Sequence, residues 1–264
     1  MRTMLTLATM LSLAMLAGIA RSTNTLPGPT GLIATPTAAV VAPGQLDLNV
    51  NWYNTKKSAT DVLDSFPLSV EYGLAPGWEV GVNGWIGNRL SQDANSIGVN
   101  AKYMLPVKLG GTDWSLGGIF AVTQQAADAS YTENAKTGEI YFVGTRPLLT
   151  MKDYEVGLNG TLGVNWTSID AGAENGEGFR GQAGLEVLLP MQFSVFGEYQ
   201  TARPQVGDDK PLTSAGVRYP FTPYLVGQVV YTNAGFNYAG LTGAPDHNIS
   251  AGLTLMWDTT KMMK

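Results

Sequence analysis

From Tyr154 to Trp166 the chain reads YEVGLNGTLGVNW, and the character of its residues alternates with period two. Tyr154, Val156, Leu158, Leu162, Val164 and Trp166 share one face, and Glu155, Asn159, Thr161 and Asn165 share the other. This is the pattern of a strand with one oily and one wet side. A helix is excluded, because Gly157, Gly160 and Gly163 would each cost it about 1 kcal/mol. An aromatic closes the apolar face at each end, as in a strand that crosses a bilayer with amphipathic rings at both headgroup levels.

The same device recurs about a dozen times. Leu46, Leu48, Val50 and Trp52 oppose Asp47, Asn49 and Asn51, and Phe66, Leu68, Val70, Tyr72 and Leu74 oppose Ser69, Glu71 and Gly73. Trp78, Val80, Val82 and Ile86 then face away from Glu79, Gly81 and Asn83, and Ile97, Val99, Ala101 and Tyr103 from Gly98, Asn100 and Lys102. Strand five sets Trp114, Leu116, Phe120 and Val122 against small residues. Strand eight sets Phe179, Ala183, Leu185 and Val187 against Arg180, Gln182 and Glu186. Strand nine sets Phe193, Val195 and Tyr199 against Ser194, Glu198 and Gln200, and strand ten sets Ala215, Val217 and Tyr219 against Ser214 and Arg218. The last strand, from Asn248, sets Ile249, Leu253, Leu255 and Trp257 against Ser250 and Thr254. Two strands leave their register open. In Ile140 to Arg146, a lumen-facing Arg146 turns Phe142 inward and Tyr141 and Val143 to lipid; in Tyr224 to Tyr231 the two faces differ little.

The connections carry a second signal. Those after strands two, four, six, eight and ten are compact and hold Pro76, Pro106, Pro147, Pro190, Pro220 and Pro223, while the others are mostly longer and polar, including Thr123 to Gly138 and Thr167 to Gly178. Short turns at one rim and long loops at the other are the layout of bacterial outer-membrane barrels. The expected fold is all-β: a closed antiparallel up-and-down transmembrane β-barrel of about 12 strands, with short periplasmic turns and longer extracellular loops. A soluble sandwich or lipocalin-like barrel shows the same period with the oily face inward. Against it, aromatics recur at strand ends, and a sheet of about twelve strands closes too wide for Leu and Val alone to fill.

Composition fits this reading. The 264 residues include 32 glycines and only 14% charged residues, and the mean hydropathy of +0.01 is compatible with a membrane barrel, which hides its apolar surface by alternation. Residues 1–20 carry Arg2, an apolar run and the small-x-small ending Gly18, Ile19, Ala20, which reads as a secretory signal peptide cleaved after Ala20. The expected divisions are that leader, a Pro/Thr/Ala-rich segment over 21–44, a barrel over 45–258 and a tail over 259–264. Prolines at 27, 29, 36 and 43 bar 21–44 from helix or central strand. The segment is then an extended leader, or lies in the barrel mouth, or pairs at the periplasmic end. Zero cysteines leave closure of the sheet, with no disulfide, to hold the fold. A net charge of −5 with no basic cluster beyond Lys56 and Lys57 argues against nucleic acid as a partner.

Gly31-Leu32-Ile33-Ala34-Thr35-Pro36-Thr37-Ala38, followed by Pro43-Gly44-Gln45-Leu46 and a first strand reaching Trp52, resembles the opening of outer-membrane barrels of the YjbH type. The resemblance implies an outer-membrane location and a link to exopolysaccharide production and export. Outer-membrane barrels usually end on an aromatic that the barrel assembly machinery reads; here Trp257 is followed by seven further residues.

The charges on the wet faces form the candidate site: Glu71, Lys102, Glu155, Arg180, Glu186, Glu198 and Arg218. In a narrow lumen they either pair into a network that plugs the barrel or line a water-filled passage and tune its selectivity. Trp52, Tyr72, Trp78, Tyr103, Trp114, Tyr154, Trp166, Tyr199, Tyr219 and Trp257 form the expected aromatic girdle. For catalysis there is one histidine, His247, near Asp246, Asn248 and Ser250. Ser250, three positions on, falls on the opposite face of an extended strand, a poor geometry for a nucleophile and its base. Asp170, Glu174 and Glu177 lack the spacing of a twelve-residue calcium loop. With no metal-ligand cluster, phosphate-cradling motif or nucleotide fingerprint, neither a metal nor a cofactor is expected. The functional expectation is a non-enzymatic outer-membrane barrel, either a passive channel or an accessory to the envelope and exopolysaccharide. A plugged recognition or structural barrel is the alternative, and an outer-membrane hydrolase is the weaker one. Expected partners are outer-membrane lipid, the assembly machinery, and small hydrophilic solutes or polysaccharide.

Overall fold

The computed structural model describes residues 24–25, 28–56, 62–89, 92–123, 134–151, 156–171, 174–206, 210–233 and 248–259. Among these, twelve strands make one closed barrel: β1 (Gln45–Lys56), β2 (Val62–Ala75), β3 (Trp78–Arg89), β4 (Gln92–Met104), β5 (Asp113–Thr123), β6 (Ala135–Met151), β7 (Val156–Ala171), β8 (Glu174–Leu188), β9 (Ser194–Gln200), β10 (Leu212–Thr222), β11 (Leu225–Thr232) and β12 (Asn248–Asp258). Each pairs antiparallel with its neighbours in sequence, and β1 pairs with β12, placing Leu46 opposite Trp257 and Val50 opposite Leu253. Every strand therefore has a partner strand on both sides, and the paired stretches satisfy their backbone polar groups within the sheet, as hydrocarbon demands.

Side-chain direction decides between a soluble and a membrane barrel. Leu162, Phe179, Leu185 and Leu253 stand exposed on the outside, with Leu162 and Phe179 68% and 70% accessible, while Glu71, Glu79 and Thr254 are buried at 0–1%. The apolar surface faces outward and the polar residues face the axis, the reverse of a soluble barrel and the arrangement of one that spans a membrane.

The structure settles the two open registers. In β6, Thr137, Glu139, Tyr141 and Val143 point inward, and Phe142 and Arg146 point outward; a lumen-facing Arg146 is therefore overturned. Phe142 is held outside by stacking on Trp114 at 4.9 Å between ring centroids. In β11, Val226, Gln228, Val230 and Thr232 face the lumen, and Val229 and Tyr231 face out. Valines on both faces had erased the contrast.

The expected long loop over 167–178 is also corrected. β7 continues to Ala171 and β8 begins at Glu174, with Asp170 paired to Asn175. β6 likewise starts at Ala135, inside the expected loop from Thr123 to Gly138. Beyond the membrane both faces of a strand meet water, so the hydrogen-bond ladder continues while period-two contrast fades. At the other rim the turns are tight, as at Pro76 and Gly77 between β2 and β3.

Residues 24–25 and 28–42 do not join the sheet. Pro43 makes a parallel bridge to Gly73, and the Gly44 amide donates to the Gly73 carbonyl at 2.8 Å. From that point at the short-turn rim the segment, followed backward, lies inside the barrel. Thr259 just beyond β12 donates to the Gly44 carbonyl through its amide at 2.9 Å, which ties the end of the last strand to the point where the segment leaves the lumen.

Candidate functional site in the barrel lumen

The segment folds into a tight hairpin. The Leu32 amide donates to the Thr35 carbonyl at 2.9 Å and the Thr37 amide to the Thr30 carbonyl at 3.1 Å, leaving Ile33 and Ala34 at the tip. Such a tip leaves several amides pointing the same way, which makes a concave seat for an anion. Glu198 of β9 supplies the anion: its carboxylate accepts the amides of Ile33 at 3.2 Å, Ala34 at 3.0 Å and Thr35 at 3.0 Å. The hairpin's outward carbonyls go to a cation instead. Arg218 of β10 donates through Nη2 to the carbonyls of Gly31, at 2.9 Å, and Leu32. It also meets Glu186 at 3.4 Å and stacks over the Phe196 ring at 4.3 Å.

A second anchor fixes both limbs of the segment. Glu79 of β3 accepts the Thr30 amide at 2.9 Å, the Thr30 hydroxyl, and the Val41 amide at 2.8 Å. Lys102 of β4 lies 3.3 Å from the same carboxylate and donates to the Thr30 carbonyl at 3.0 Å. Burying an ion pair is tolerable only when its remaining donors and acceptors are also satisfied; here the segment satisfies them.

Smaller contacts fill in. Ser115 donates to the Ala38 carbonyl at 2.6 Å, the Ala38 amide donates to Thr145 Oγ1 at 2.9 Å, and Asn24 Nδ2 donates to Ser69 at 3.0 Å. Gln200 Nε2 donates to Thr35 Oγ1 at 3.1 Å and its Oε1 accepts from Arg180 at 3.0 Å. Leu32 and Ile33 pack in a buried apolar cluster with Tyr53, Trp85, Phe196 and Val230, side chains from four different strands. The lumen is therefore bridged by the protein's own chain. A cavity of about 100 Å³ remains beside it, lined by Thr37, Asp113, Asn159, Glu186 and Arg218 among others.

Of the charged residues read from the sequence, Glu198, Arg218, Lys102 and Glu186 meet at the segment. Arg180 stands one step behind, through Gln200, and Glu71 accepts from Asn100 at 2.7 Å. Glu155, Tyr154 and His247 lie outside the described residues. Tyr72, Trp78, Tyr103, Trp114, Tyr219 and Trp257 stand toward the outside at the short-turn rim, with Trp78 against Tyr103 at 4.5 Å. Trp52, Trp166 and Tyr199 stand at the opposite ends of their strands.

Two positions that matter to the segment had no charge to draw attention. A Cβ on Gly73 would lie 2.0 Å from the Ala42 carbonyl oxygen, and one on Gly184 would lie 2.2 Å from Leu32 Cδ1. Both glycines sit on the lumen side of otherwise ordinary strands. Their signal is that small residues there leave room for something that is not sheet. Arg203, beyond β9 and 2% exposed, is also inward, 3.8 Å from Glu139.

No family model matches the sequence, and no curated protein matches it. Solved structures do share the fold. A KdgM porin in complex with disordered oligogalacturonate superposes with a TM-score of 0.50 at 12% identity, over 80% of this chain and 98% of that one. The NanC porin gives 0.48 at 12% identity over 80% and 98% of the two chains, and outer membrane phospholipase A from Escherichia coli gives 0.48 at 10% over 79% and 92%. At these identities the likeness is one of fold.

Proposed function

We propose that this protein is an exported, non-enzymatic outer-membrane barrel whose lumen is stoppered by its own segment before β1, anchored through Thr30 to Val41, with an accessory role in the cell envelope in place of free diffusion of solutes. The observation that carries the reading is the double anchorage of the segment: three consecutive amides on Glu198 and both limbs on Glu79. A passive pore would leave those carboxylates to water. Here they hold backbone, and hydrogen bonds to ionised groups contribute about 1.5–3 kcal/mol each.

Gly31 to Ala38, the first part of the stretch over 31–52 that resembles YjbH-type barrels, forms the hairpin of the stopper, and the rest of that stretch leads into β1. That coincidence supports an exopolysaccharide-associated role. Planar-bilayer recording tests the stopper: the intact protein passes no steady current, and a variant lacking 24–42 conducts. Steady conductance from the intact protein overturns it. The polysaccharide role is tested separately, by the amount of secreted polysaccharide in a strain lacking the gene; an unchanged amount overturns that part alone.

A further inference from the structure

The outer surface carries a groove of about 780 Å³ crossing β5 to β9, walled by Trp114, Leu148, Leu162 and Tyr199. Its floor is low at Ala183, which is paired between Leu162 and Tyr199, and Leu148 leans over Gly160 at its side. Its volume falls within the roughly 300–1,000 Å³ of ligand pockets. Toward its short-turn end stand Arg146, exposed on the outward face of β6, and Leu148, two residues nearer the rim on the same strand. Among the described residues Arg146 has no hydrogen-bond or ion-pair partner. Asp113, a nearby carboxylate opposite Thr145, is taken by Lys108 at 3.0 Å.

A guanidinium on the lipid-facing side of a barrel is unfavourable unless its tip reaches the headgroup level. Arg146 stands beside the aromatic Trp114, next to the β4–β5 turn, where Gly111 lies close to its Nε. Arginine's planar fork matches phosphate oxygens. A second outer groove of about 510 Å³, walled by Trp52, Phe66, Tyr219 and Phe221, has no charged side chain in its lining. The charge singles out the first.

We infer that the Arg146 groove binds one anionic glycerophospholipid from the leaflet on the short-turn side, with its phosphate on Arg146 and an acyl chain laid along Leu162 and Ala183 toward Tyr199. The site requires that the outer belt lie in a bilayer; it does not depend on the stopper.

Native mass spectrometry of the detergent-purified full chain, titrated with phosphatidylglycerol, tests it. The wild type retains one lipid after others are stripped. Arg146→Gln weakens that binding about fivefold, the scale of one basic residue at an anionic surface. Ala183→Leu, which fills the groove and leaves the charge, weakens it as well. Heat-dependent gel mobility confirms that both variants are folded barrels. Equal retention by the wild type and Arg146→Gln overturns the proposal, as does a stripped wild type that keeps no lipid. Failure here with the conductance results intact leaves the stopper standing.

Discussion

The Glu198 carboxylate accepts the backbone amide of Thr35 at 3.0 Å across a sequence separation of 163 residues. A strand residue thus holds the tip of a hairpin that belongs to no strand. Glu198→Ala leaves the amides of Ile33, Ala34 and Thr35 without their acceptor, and each buried unsatisfied group costs about 1–3 kcal/mol. Release of the hairpin to water relieves that cost. We expect Glu198→Ala to raise the fraction of time spent conducting in planar bilayers at least about tenfold, with gel mobility still that of a folded barrel.

Gly184 faces the same hairpin from β8. A Cβ there would lie 2.2 Å from Leu32 Cδ1, and Leu32 is enclosed by Trp85 and Phe196. Overpacking such a site costs roughly 1–3 kcal/mol. Gly184→Val is expected to expose residues 24–42 to added protease while the strands remain protected, and mass mapping of the fragments reads this out.

Lys102 and Glu79 are both fully buried, 3.3 Å apart. Removing one partner of a buried pair is costly, about 3–5 kcal/mol, because the other charge is left uncompensated. Lys102→Met is expected to lower the urea midpoint of the protein in lipid vesicles, and Glu79→Gln combined with Lys102→Met to recover much of that loss. The double variant separates the ion pair from simple packing.

Leu162 lies between the two ends of β7 and is 68% exposed. An arginine at the bilayer centre of a barrel costs about 2–4 kcal/mol. Leu162→Arg is therefore expected to destabilise the vesicle-embedded protein by that order in urea titration. A near-neutral effect would place this face in water.

The barrel was legible in the sequence because hydrocarbon outside and polar groups inside impose period two on most strands, as Leu253 and Thr254 display. The pattern faded where both faces meet similar surroundings. Val226 and Val230 face the lumen from β11 with Val229 outside, and the pairs Ser168 with Glu177 and Asp170 with Asn175 extend the β7–β8 ladder into water. Tyr53, Trp85 and Phe196 point inward, which the polar-lumen rule does not anticipate. They do so because Leu32 and Ile33 give them an apolar partner inside the barrel. The stopper itself carries no periodicity, since its amides are satisfied by side chains distant in sequence. Its fold could be read only from its partners' positions.

The lumen location of the stopper is open to one direct measurement, because the chain contains no cysteine. Ala34 at the hairpin tip and Leu212 at the start of β10 pack together in the interior. In the double variant Ala34→Cys, Leu212→Cys, isolated in membranes and oxidised, an internal disulfide is expected that shifts gel mobility, is reversed by reductant and keeps the barrel non-conducting. If both thiols instead remain free and react fully with a water-soluble maleimide, the hairpin does not sit in the lumen and the barrel has no stopper.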